Sequence, residues 1–137
     1  MEITANISLK ELRKKEQEQK ELKQREICEA YAAERFGIEK LNKLTAENKG
    51  LWFLVVWNEF GDQVEVLALM KPVTRQVLSY ASTKMTDEGL YGYLETAMRD
   101  CFIDGDMSII EDDNYFLPAS NSFQKIMEGK KTSLLKR

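Results

Sequence analysis

The chain opens on a long stretch with almost no apolar face. From Ser8 to Phe36 it is rich in Lys, Glu, Gln and Leu and free of Gly and Pro before Gly37, a helical composition. Ser8 and Glu11 have the spacing of a capping box, with Ile7 placed to staple against Leu12. Between Arg13 and Glu26 the one large aliphatic residue is Leu22, so this half cannot bury a conventional face. Opposite charges four apart (Glu11–Lys15, Glu16–Lys20, Glu21–Arg25) predict a solvated helix instead. Farther on, Ile27, Ala30, Tyr31 and Glu34 share one side, and Phe36 closes it ahead of Gly37, a C-terminal cap. A second short helix fits Ile38 to Ala46, with Ile38, Leu41 and Leu44 at helical spacing.

The period then changes. Leu51–Asn58 is aromatic and β-branched, a second such run covers residues 63–70, and Glu59–Gln63 supplies a short Gly-containing turn. Val64, Val66, Ala68 and Met70 share one face of the second strand, with Glu65, Leu67 and Leu69 on the other, while the first strand is apolar on both faces. A lone hairpin is marginal in water, so both faces need cover from helices, another strand or another subunit. Helical spacing returns after Pro72, with Val73, Val77, Leu78 and Ala81 running to about Met85. Thr86 is placed to cap a further helix with the stripe Leu90, Tyr91, Leu94, Ala97, Met98, Cys101 and Phe102, and Asp104-Gly105-Asp106 breaks it. Ile109 and Ile110 form a short apolar turn, and Tyr115–Pro118 reads as an aromatic anchor before a last helix. That helix starts near Ser120 or Ser122, buries Phe123, Ile126 and Met127, and is weakened at its end by Gly129. The fold class expected is α+β and mostly helical. A two-stranded antiparallel hairpin (about 51–58 and 63–70) is packed by C-terminal helices, with residues 1–37 a charged helical extension and 38–137 a small α+β domain.

Composition narrows the function. The 137 residues are 43% hydrophobic and 31% charged, enough apolar content for a core and about one domain's length. The complete lack of His excludes Ser–His–Asp, Cys–His and His-ligated metal chemistry. Cys28 and Cys101 form no paired motif and are expected as reduced, partly buried residues. The acidic set Asp100, Asp104, Asp106, Glu111, Asp112 and Asp113 begins like a calcium loop at Asp104-x-Asp106. The position of the invariant Gly is Ile109, however, and that of the bidentate Glu is Tyr115. The expectation is therefore no catalytic residue, no metal and no cofactor. The longest strongly apolar run, Leu51–Trp57, is far short of a membrane span, and Met1–Ser8 lacks the basic and apolar regions of a signal peptide, so a cytoplasmic location is expected. The net charge of −3 conceals −8 over residues 86–123 and +4 over residues 124–137. That distribution disfavours a generic nucleic-acid binder but leaves Lys130, Lys131, Lys136 and Arg137 able to contact phosphates.

Trp52, Phe53, Trp57 and Phe60 are dense for one hairpin, open between core packing and an interface, and the hairpin edge offers backbone groups for strand addition. Around them lies a recognisable pattern. Met70-Lys71-Pro72-x-x-Arg75-x-x-Leu78-Ser79-Tyr80-Ala81 is followed by Asp100-Cys101-Phe102-Ile103-x-Gly105-Asp106 and then Ile110-x-Asp112-Asp113-x-Tyr115-Phe116-Leu117. Over about residues 50–137 this resembles the small tail assembly chaperones of tailed phages, prophages and phage-like particles. In that family a hairpin leads into a Lys/Arg-Pro helix, then a Cys-aromatic-x-x-Gly-Asp segment and an Asp-Asp-x-x-Phe-Leu segment. The resemblance implies a non-enzymatic protein that binds the tape measure protein, helps recruit tail tube subunits, self-associates, and is absent from the mature particle. It also implies, for many members, a longer frameshifted form. Within that reading Trp52, Phe53, Trp57, Phe60 and Tyr91 are candidate contacts. Asp112 and Asp113 are candidates for matching an acidic block to a basic tail between copies. The alternative is a small adaptor or regulator of a mobile element that uses the basic tail on nucleic acid.

Overall fold

A computed structural model describes residues 8–127 and 132–137, with the Met127 side chain outside that description. The expectations for Met1–Ile7, for burial of Met127, and for Gly129, Lys130 and Lys131 lie outside the described residues. The order is α1 (Leu9–Phe36), α2 (Ile38–Asn48), β1 (Trp52–Trp57), β2 (Val64–Met70), α3 (Arg75–Ser82), α4 (Met85–Cys101), β3 (Phe102–Gly105), α5 (Ser108–Glu111) and α6 (Asp113–Phe123). A 3-10 turn, Gln124–Met127, follows α6. The fold is α+β and mostly helical, with the long charged helix in front, as the sequence predicts.

The sheet has three strands rather than two. Its order is β1-β2-β3, antiparallel throughout. Phe102, read as the end of a helical stripe, starts β3 instead. Gly105 makes this possible. Its φ of 123° suits a residue without a Cβ, and a Cβ there would run into the Leu67 carbonyl oxygen and the Ala68 Cα.

β2 is the centre, and its two faces support two cores. On one face Val66, Ala68 and Met70 pack with Leu54 against Ala81, Ala97, Met98, Cys101, Ile109, Phe116 and Phe123 from the later helices. On the other, Leu67 and Leu69 pack against Cys28 and Ala32 of α1 and Leu41 of α2. Val64 joins the second face, not the first, because the register shifts between Val56 and Trp57. The helices thus cover both faces of the hairpin.

The start of α1 follows the sequence, with the Glu11 N–H donating to Ser8 Oγ. Gly37 ends it at φ 89°, its N–H donating to the Ala33 carbonyl. The buried line is Cys28 and Ala32, four apart, rather than Ala30 and Glu34, which are exposed. Ile38 is also exposed, and in α2 the buried residue is Leu41. Among the described residues, ion pairs at four-residue spacing are Lys43–Glu47 and Glu95–Arg99, not the three expected along α1.

Three helix starts also move. Pro72, expected in the first turn, lies before α3, which runs Arg75–Ser82 and is capped by Thr74, its Oγ1 accepting from the Val77 N–H. Helix α4 begins at Met85 without a side-chain cap, and Gly89 interrupts it at φ 73°, ψ −165°. The break turns Leu90 and Tyr91 outward, and the buried stripe shortens to Leu94, Ala97, Met98 and Cys101. Tyr115–Pro118 lies inside α6 rather than before a last helix, because Asp112 caps it by accepting from the Asn114 N–H.

Candidate protein-binding groove

Among the described residues β1 is an edge strand, paired with β2 on one side and with no strand on the other. The aromatic and β-branched run Trp52–Trp57 therefore sits at the rim of the sheet rather than in its middle. A groove of about 510 Å3 follows this edge. One wall is α1, with Glu21, Arg25 and Cys28; the other is the end of α6 and the turn after it, with Ser122 and Ile126. The floor is Leu51 with β1 residues Trp52 to Val55 and Trp57.

Strand alternation explains the lining. Phe53, Val55 and Trp57 face the α1 side and are half-buried against the second core. Trp52 shares its parity with Leu54 and Val56 but remains 48% exposed at the start of the strand. Cys28 lines the same groove while packing into the core. Its thiol is pushed up to about 11 by burial and then by Glu29, which keeps it protonated and poorly nucleophilic. Cys101, in the core on the opposite face, is raised to about 11 by burial, with Lys71 and Asp100 pulling in opposite directions. Both cysteines are free.

Of the residues singled out in the sequence, Trp52, Phe53 and Trp57 come together here. Phe60 stands apart at the hairpin tip and is 82% exposed. The turn holds it out: Asn58 Oδ1 accepts from the Asp62 and Gln63 N–H groups, and the Gly61 N–H donates to the Asn58 carbonyl. Tyr91 is exposed on α4 and meets Phe116 edge-on, with ring centroids 6.3 Å apart. Asp112 and Asp113 sit at the start of α6, where Asp112 is occupied as a helix cap. The α1 and α6 walls are not legible in the chain, since Glu21, Arg25 and Ile126 read locally as a solvated helix face and a helix end.

The acidic segment contains a second organised feature. Arg35 reaches from α1 to Asp106 with both nitrogens, at 2.9 and 3.0 Å. Lys40 of α2 pairs with Asp104 of β3. Asp106 also accepts from the Leu67 N–H at 2.9 Å, and its own N–H donates to the Leu67 carbonyl. Arg35 and Lys40 lie 5.0 and 5.5 Å from the Phe36 ring centre. The Lys40 hydrogen bond holds the Asp104 carboxyl low against a smaller burial penalty. Burial pushes Asp106 up, but hydrogen bonds from Arg35 and the Leu67 N–H outweigh it, and its carboxyl also lies below the ordinary range. Two carboxylates at the calcium-like spacing are thus engaged by protein donors. Among the described residues no group of three or more metal-ligating side chains gathers, and no helix is long and apolar enough to cross a membrane.

No protein-family model matches the chain, and no curated protein or solved structure matches it either.

Proposed function

We propose that this chain is a non-enzymatic tail assembly chaperone of a phage or phage-like particle. In this reading it binds the tape measure protein in the bacterial cytoplasm, helps recruit tail tube subunits, and stays out of the mature particle. The motif pattern from Lys71 to Leu117 supports the family. The observation that carries the binding role is the open edge of β1 in an apolar groove, with Trp52 half out in solvent.

A chaperone of a long, aggregation-prone client must hold features that recur along it. Backbone hydrogen bonds and apolar side chains are such features, and a strand edge beside an apolar groove offers partners for both. Aromatic anchors carry much of the energy at such surfaces. Co-expression with a tape measure protein should yield a co-purifying complex and keep that protein in the supernatant. Trp52→Asp should reduce recovery by at least about tenfold, the scale expected of an interface anchor. Absence of both complex and rescue for the unaltered chain would sink the proposal. A salt-dependent complex with DNA or RNA instead would favour the adaptor reading.

A further inference from the structure

Residues 9–23 of α1 are exposed at every position, about 22 Å of helix. Their leading turns place Leu9 and Leu12 in water among Lys10, Arg13, Lys14 and Lys15, with Glu11 the one acid between them. A second exposed apolar patch lies on the other side of the sheet. Tyr91 meets Phe116 edge-on, which joins the exposed Leu90 and Tyr91 of α4 to the α6 turn that carries the exposed Leu117. We propose that this patch is the docking site for the leading turns of α1 from a second copy of the chain.

The charges are complementary. Asp112 and Asp113 open α6 one turn before Phe116 and Leu117, and Glu88 lies over Gly92, beside Tyr91. All three acids are exposed. Within residues 86–123 the one base is Arg99, and it pairs with Glu95, so nothing basic in that segment offsets them. Asp104 and Asp106 are already held by Lys40 and Arg35, which leaves much of the remaining acidic excess around the patch. The leading turns of α1 carry the opposite sign. Leu9, Leu12 and Arg13 fall on one side of the helix, at three- and four-residue spacing. Glu16 continues that side, so the match is confined to the first two turns. There, apolar burial and charge attraction act together.

The occupant comes from another copy for a topological reason. Helix α1 packs on the Leu67 and Leu69 side of β2, whereas Phe116 belongs to the core on the Val66, Ala68 and Met70 side. Because α1 is continuous from Leu9 to Phe36, its leading turns cannot come round the sheet to the patch of their own chain. Each copy therefore carries an end and a patch that it cannot bring together, and each of these can serve a neighbour. Such a contact is heterologous, and it continues from copy to copy unless two chains close on each other.

The test uses the chain alone, without a client, so its outcome is separate from that of the chaperone reading. Sedimentation of the unaltered chain should give a mass that rises above one copy at micromolar concentration. Two variants reverse charge at exposed positions, Lys10→Glu/Arg13→Glu on α1 and Glu88→Lys/Asp113→Lys at the patch. Asp112 stays in place because it caps α6. Each variant alone sets like charges against each other and should self-associate at least about tenfold more weakly. An equimolar mixture should associate again. The acidic α1 end of the first variant then meets the basic patch of the second, and the basic end of the second meets the acidic patch of the first. Leu9→Asp/Leu12→Asp, in turns with no buried residue, should weaken association likewise without a folding change. A monomeric unaltered chain would overturn the proposal, as would unchanged association of the leucine variant or a mixture that stays monomeric. Undiminished association of Glu88→Lys/Asp113→Lys would also overturn it, assigning the contact to α1 pairing with itself or to the β1 edge.

Discussion

Asp106 does more than its position in an acidic run suggests. One carboxylate holds Arg35 from α1 and the N–H of Leu67, a residue with no exposed surface. Replacing it separates the two duties. Asp106→Ala leaves the Leu67 N–H without an acceptor and should cost about 1–3 kcal/mol in a denaturant titration. Asp106→Asn keeps an oxygen for that N–H and loses the charge pair alone. The pair is partly solvent-exposed, so the cost should be about 0.2–1 kcal/mol. Equal losses in the two variants would show that the Leu67 bond contributes nothing. The residue scale also explains why the motif Gly105-Asp106 was visible but its purpose was not. Both residues act on β2, some forty positions earlier in the chain, and local spacing carries no sign of that partner.

Elements tell a similar story about β3. The sequence places a helix break at Asp104–Asp106, but the helix already ends at Cys101, and tertiary pairing makes Phe102–Gly105 a strand. Gly105→Ala tests the conversion. The new methyl meets backbone rather than a movable side chain, at a φ that other residues rarely adopt. A loss of about 2–4 kcal/mol is expected from calorimetry, from strain and the displaced strand together. A loss under about 0.5 kcal/mol would mean the β2–β3 pairing is dispensable. Helix α1 divides into two halves by the same reasoning. Residues 9–23 are all exposed, whereas Cys28 and Ala32 are part of a core. Beginning the chain at Glu21 should therefore leave stability within about 0.5 kcal/mol, while Ala32→Asp buries an unpaired charge and should prevent folding. The amphipathic half was legible, but the buried line was displaced from the expected one. Small residues such as Ala32 are chosen there for close approach to the sheet, and hydrophobicity alone does not mark them.

For the molecule as a whole, charge is arranged to join layers. Arg35 and Lys40 connect the α1–α2 side to Asp106 and Asp104 at the β3 end of the sheet. Both carboxyls titrate below their ordinary value in the folded chain. Their contribution to stability is thus complete above the unfolded-state value, about 3.9, and is lost as pH falls through the lower folded values. The acid limb of an unfolding curve should be shallower in a Lys40→Met/Arg35→Met variant than in the unaltered chain. An identical limb would remove these two pairs from the account. The same pairing means that part of the −8 segment is neutralised within the fold, leaving Asp112, Asp113 and Glu111 among its exposed acids.

By itself the sequence determined the class of fold, the hairpin, the helical character of the flanks and the lack of histidine chemistry. Each of these depends on periodicity or composition, which are local properties. It also showed that the aromatic residues exceed what a bare hairpin needs. Only the tertiary structure decided which of them are covered. Phe53 and Trp57 are packed by α1, Trp52 is left at an open edge, and Phe60 and Tyr91 are held elsewhere. The groove exists because α1 and the end of α6, far apart in the chain, come together beside β1, and such an arrangement is set by packing geometry, which no single segment encodes.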